Sequence, residues 1–100
     1  MTYAFIQDVP IGPAVYKQIR TELGEQPPRG LVVHLVIRSD KGLRYVDVWE
    51  SEQDWERFAE ERLHKAVWGV LDRAGVPRPE VEPQLQEIEV EDVWVPQGER

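Results

Sequence analysis

Gly30 to Leu63 reads GLVVHLVIRSDKGLRYVDVWESEQDWERFAEERL. Leu31 to Arg38 is an almost continuous apolar run rich in Val, Leu and Ile. That is the pattern of a strand covered on both faces, since half-exposed strands alternate more cleanly. Ser39-Asp40-Lys41-Gly42 is turn chemistry, so Leu43 to Glu50 returns as an antiparallel strand. Ser51 to Asp54 then resembles a capping box with Asp in place of Glu or Gln, and Glu52 and Asp54 suit the positive end of a helix. Trp55, Phe58, Ala59 and Leu63 form its buried stripe, while Glu56, Arg57, Glu60 and Glu61 face water. Helical periodicity continues through Val67, Val70 and Leu71 to Gly75, and a bend or break is predicted near His64 or Gly69.

Outward from this stretch, Tyr3 to Asp8 is a short apolar run ended by Val9-Pro10 and reads as the first strand. Gly12-Pro13 starts a helix, with Pro in the first turn where its missing N–H costs nothing. Val15, Tyr16, Ile19 and Leu23 form its apolar stripe, and Gly24 is its stop. Val76 to Pro83 is a proline-rich connector. Leu85 to Val95 is predicted as the last strand, with Ile88 and Val90 alternating against Glu87, Glu89 and Glu91, and residues 96–100 as a tail. The order strand, helix, strand, strand, helix, strand is the ferredoxin-like split βαβ arrangement of the α+β class. It implies one domain over residues 1–100, a four-stranded antiparallel sheet, and helices on one face. One helix layer covers only one face of a sheet, so the other is expected to meet a second subunit in a homodimer.

The net charge of −7 over 100 residues argues against nucleic acid, whose binding rests on phosphate neutralisation by Lys and Arg. It equally disfavours an anionic membrane surface. The chain has no cysteine, which removes disulfides, thiolate chemistry and Cys-based metal sites. No basic segment followed by an apolar run opens the chain, and no run approaches the length of a membrane span. A cytoplasmic protein is expected, and the Pro, Glu and Arg content hints at a GC-rich bacterial source.

Gly30 to Val36 (GLVVHLV), the turn Asp40-Lys41-Gly42, Val46 to Ser51 (VDVWES), and Trp55 and Phe58 together resemble the dimeric α/β-barrel superfamily. More narrowly, they are similar to proteins near the antibiotic-biosynthesis monooxygenase group. The resemblance implies two sheets meeting back to back as a closed dimeric barrel, with a pocket between each sheet and its own helices. It implies a function from a mixed set: cofactor-independent monooxygenases, polyketide cyclases, haem-degrading enzymes and members of no known activity. Trp49 matches, by its place in V-W-E-S, a Trp that lines the pocket in the monooxygenase and haem-degrading branches. Gln7 lies roughly where those branches use an Asn. The haem-degrading branch carries a His on the second helix where this chain reads Phe58-Ala59-Glu60, and His64 falls later.

His34 interrupts the apolar run. If the turn closes with Arg38 opposite Leu43, His34 lies opposite Asp47, Val36 opposite Tyr45 and Val32 opposite Trp49, and opposed residues share a face. If a bulge forms at Gly42, the register slips and His34 meets Val48. In the first register a carboxylate orients an imidazole, which suits a general base. A core histidine held by one hydrogen bond is the other reading. The expected enzyme is a cofactor-independent monooxygenase or cyclase acting on a small aromatic or polyketide-type molecule. His34 and Asp47 would be catalytic, Gln7 and Tyr45 would meet the developing oxyanion, and Trp49, Trp55 and Phe58 would be apolar walls. No metal site is expected, because His34 and His64 lack ligand spacing. A non-catalytic dimeric module binding a small hydrophobic ligand is one alternative, and haem binding is another. Trp68 and Trp94 are read as packing or dimer contacts.

Overall fold

The computed structural model describes residues 2–78 and 83–94. Its elements are β1 (Tyr3–Val9), α1 (Pro13–Leu23), β2 (Leu31–Ser39), β3 (Gly42–Trp49), α2 (Glu52–Phe58), a π-helical turn (Ala59–Leu63), α3 (His64–Ala74) and β4 (Leu85–Ile88). The four strands form one sheet in the order β2-β3-β1-β4, and every pairing is antiparallel. This is the ferredoxin-like α+β fold that the order of elements implies.

The turn fixes the hairpin. Ser39 pairs with Gly42, Arg38 with Leu43, Val36 with Tyr45 and His34 with Asp47, so Gly42 introduces no slip. Gly42 has φ 138°, and a Cβ there would stand 2.4 Å from the Val9 carbonyl oxygen. Only glycine lets the end of β1 pass so close. The irregularity lies at the other end of the hairpin instead. Leu31, not Val32, pairs with Trp49, because the register shifts between Leu31 and Val33 and Val32 is the extra residue of a bulge.

Phe5, Asp47 and His34 line up across β1, β3 and β2, and α1 and α2 pack over this face. Phe5, Trp49 and Val70 are the largest fully buried side chains, joined by Ile19, Leu43, Ala59 and Leu71. The Ser51 hydroxyl caps α2, accepting the Asp54 N–H at 3.1 Å and donating to Asp54 Oδ2 at 3.0 Å. The side chain three residues on thus meets the cap's hydroxyl, where a full capping box would reach its N–H. The predicted break before His64 is the π turn, and Gly69 sits inside α3. That turn carries Arg62, whose Nη2 donates to the Leu23 and Gln26 carbonyls at 2.8 and 3.1 Å. The end of α1 thereby finds a donor for a carbonyl that has no helical partner.

β2 lies at the edge of the sheet, and its outward side chains Leu35 and Ile37 are 51% and 45% exposed. This chain therefore covers β2 on one face only. β4 stops at Ile88, well short of Val95, because Ile88 already pairs with Ala4 and β1 begins at Tyr3, leaving no ladder to extend. Val95 and the tail lie outside the described residues. Trp94 is 89% exposed. Trp68 stacks on His64 at 5.2 Å with the Arg78 guanidinium 5.1 Å from its ring centre. Among the described residues, no helix is long and apolar enough to cross a membrane.

The glycines give a direct check on the backbone. Gly42→Ala should destabilise the protein by about 1–3 kcal/mol, the usual cost of a strained backbone position. Gly69→Ala adds a Cβ at ordinary contact distance from Arg73 and should stabilise it by about 0.5–1 kcal/mol. Urea unfolding of the two variants reads both, and equal effects would contradict the hairpin geometry.

Candidate active site

Asp47 faces the helices from the middle of β3 and is only 4% exposed. A carboxylate so placed needs donors, and both its oxygens have them. His34 Nδ1 lies 2.6 Å from Oδ1, and the Trp49 indole N–H donates to Oδ2 at 3.1 Å. Strand alternation puts Trp49 on the same face two residues on, and the two-residue turn puts His34 directly across. An ionised carboxylate only accepts, so His34 carries its proton on Nδ1. Nε2 is then an acceptor, and the Tyr16 hydroxyl, 3.0 Å away, donates to it. The result is a hydrogen-bonded chain from α1 through β2 to β3: Tyr16, His34, Asp47, with Trp49 closing the far end. Among the described residues, no buried side-chain nitrogen or oxygen lacks a partner.

Aromatic rings frame the imidazole. Tyr45 presents an edge-on contact with centroids 5.2 Å apart, Tyr16 stacks at 6.1 Å, and the two phenol rings lie 5.8 Å from each other. Burial pushes the Tyr45 phenol well above its ordinary value, and negative charge at Tyr16 and Asp47 adds to this. Burial also raises the Tyr16 phenol. The Arg20 guanidinium pulls it the other way, and the Asp47 charge adds to the rise. Both phenols are therefore neutral donors near neutral pH.

The other residues read from the sequence take different positions. Gln7 lies opposite Tyr45, on the same face as His34, but its amide N–H donates to the Pro83 carbonyl at 2.9 Å and holds the lead-in to β4. Trp49, Trp55 and Phe58 meet one another, with Trp49–Trp55 centroids 5.6 Å apart and Trp49–Phe58 centroids 5.5 Å apart. Phe5 joins them against Trp55 at 4.8 Å. Trp49 is 1% exposed, so its indole serves Asp47 and the core. A depression of about 640 Å³ opens between the α1–β2 loop and α2, lined among others by Pro28, Arg29, Asp54, Arg57 and Phe58. Of the expected walls it shares only Phe58, and it includes none of His34, Asp47 and Tyr45.

Tyr16 is the residue that sequence reasoning missed. It sits on the apolar stripe of α1 and passes for a core residue there. The available signal was chemical: a tyrosine on a core-facing stripe brings a hydroxyl that needs a partner. That partner is His34 Nε2 on the sheet beneath.

No family model and no curated protein matches the chain. Among solved structures it is similar to a monooxygenase from the gene ActVA-Orf6 of Streptomyces coelicolor, crystallised with the ligand nanaomycin D. The match covers 96% of this chain and 92% of that one, with a TM-score of 0.55 and 18% sequence identity. At that identity the likeness is one of fold.

The buried phenols carry a pH signature. Tyr3, Tyr16 and Tyr45 all have pKa values raised above 10.0, so between pH 10 and those values the unfolded chain binds fewer protons than the folded one. Stability is then unaffected by these groups below pH 10 and falls as pH rises above it. Spectrophotometric titration should show less than half of the phenolate absorbance at pH 10 in the folded protein, and half ionisation there in denaturant. Half ionisation of the folded protein at pH 10 would contradict the burial of the site.

Proposed function

We propose that this protein is a monooxygenase-like enzyme that deprotonates a small aromatic or polyketide-type substrate at an activated carbon or phenol. The observation that carries the reading is the His34–Asp47 pair, 2.6 Å apart with the carboxylate buried and the imidazole side chain 25% exposed. A buried carboxylate that fixes the imidazole's tautomer and orientation suits His34 to the role of general base. For a methylene between two aryl rings, loss of a proton leaves an electron-rich anion. That anion can reduce dioxygen itself, giving a hydroperoxide that loses water to a ketone. One oxygen atom enters the product and one enters water. Tyr45, held neutral by burial, would donate to the oxygen of the anion. Gln7 has one amide N–H committed to Pro83 and contributes less than its position in sequence suggests.

The reading includes a homodimer. Its support is the apolar outer sheet face, where Val33, Leu35, Ile37 and Val46 share one side with Ile6 and Ile88 by strand alternation. A haem-binding reading fits the residues poorly. An axial ligand needs an imidazole lone pair free to reach iron, and both nitrogens of His34 are bonded. A non-catalytic ligand-binding module has one observation in its favour, the depression beside Arg29 and Arg57, which stands apart from His34.

The experiment is oxygen uptake with an anthrone as substrate, on protein whose mass in solution is measured by sedimentation. The expected outcome is a dimer that consumes one dioxygen per ketone formed. His34→Ala should lower kcat/KM by about 10²–10⁴, the range for loss of a general base, and Asp47→Asn should also lower it. Full activity in His34→Ala would sink the catalytic assignment, and a monomer at all concentrations would sink the dimer.

A further inference from the structure

Resting on that reading, we propose that Tyr16 is a catalytic residue of the same site: its phenol oxygen, rather than the imidazole, meets the substrate and passes the proton to His34. His34 has little left to offer a substrate. Nδ1 is committed to Asp47 at 2.6 Å, and Nε2 is capped by the Tyr16 hydroxyl at 3.0 Å. No lone pair of the ring faces open space unless one of these bonds breaks. The Tyr16 oxygen, by contrast, uses its single proton on Nε2 and keeps lone-pair capacity for an incoming donor. Tyr16 is half-buried on α1.

The transfer is balanced without any oxidant. The substrate C–H or O–H bond breaks, its electron pair stays on the substrate, and its proton forms a new O–H bond on Tyr16. In the same step the original Tyr16 proton moves to Nε2. Tyr16 ends neutral, and the imidazolium lies against the Asp47 carboxylate. A free tyrosinate never forms, which agrees with the burial that disfavours it. The groups facing the phenol are Arg20 from α1, His34 from β2, and Tyr45 and Asp47 from β3. Arg20 favours negative charge on the Tyr16 oxygen while the proton is in flight.

The test is proton exchange, which needs no oxygen. Anthrone is incubated with the protein in D2O under argon, and deuterium entry at its methylene is followed above the buffer rate. Wild type should catalyse exchange. Tyr16→Phe should reduce it about 100-fold or more, as for loss of a proton-transfer group, in protein that still folds. Placing 3-fluorotyrosine at position 16 keeps the hydroxyl, lowers its pKa, and should shift the pH profile of exchange. Wild-type exchange in Tyr16→Phe combined with loss in His34→Ala would overturn the proposal and leave the functional reading standing, because the imidazole would then meet substrate directly. An unmoved profile with fluorotyrosine would overturn it as well. No exchange above buffer by wild type would remove both.

Discussion

A carboxylate buried in the middle of a sheet sets the terms for its neighbours. Asp47 is almost wholly removed from water, and leaving such a charge without donors costs several kcal/mol. The sheet supplies one donor by strand alternation, from Trp49, and another across the hairpin, from His34. Each donor is then fixed in orientation, and the imidazole held by Nδ1 must find a use for Nε2. Tyr16 provides it from the helix layer. The same bonds that satisfy a buried charge therefore align a proton path from α1 to the centre of β3.

That alignment depends on features away from the site. The register is set by the turn at Asp40-Lys41 and by the close approach of Val9 to Gly42. A one-residue slip would turn His34 to the opposite face. α1 must also sit at the right height over the sheet. Arg62 bonds the carbonyls at its C-terminal end from the π turn and stands 5.5 Å from the centre of the Phe58 ring. Phe58 in turn packs on Trp49. The path from Arg62 to Trp49 joins the anchoring of α1 to the second donor of Asp47.

Much of this was legible in the sequence because it is local. Ser39 to Gly42 announces a tight hairpin, and counting back from it places His34 opposite Asp47. Pro13, Gly24 and Ser51 mark helix ends by backbone chemistry that needs no tertiary partner. What the sequence hid depends on other layers. The bulge at Val32 arises where β2 leaves the hairpin and has no composition signal. The early end of β4 follows from where β1 starts, which the alternation of Glu87, Glu89 and Glu91 cannot report. The apolar run in β2 asks for cover on both faces, and this chain supplies it on one, leaving Leu35 and Ile37 exposed on the other. Trp49, Trp55 and Phe58 fit a core or a pocket equally by residue type, because aromatic residues serve both. Tyr16 offered only a hydroxyl in need of a partner, and the packing of α1 on the sheet is what brings that hydroxyl to His34.

The most direct test of this account is the protonation of His34 itself. Nitrogen-15 NMR of the imidazole, at a pH where the ring is neutral, distinguishes the two tautomers. The hydrogen bonds to Asp47 and Tyr16 require a proton on Nδ1 and an unprotonated, hydrogen-bonded Nε2, with the Nε2 signal moving in Tyr16→Phe. A ring protonated on Nε2 would contradict it, because Nδ1 could not then donate to Asp47 nor Nε2 accept from Tyr16.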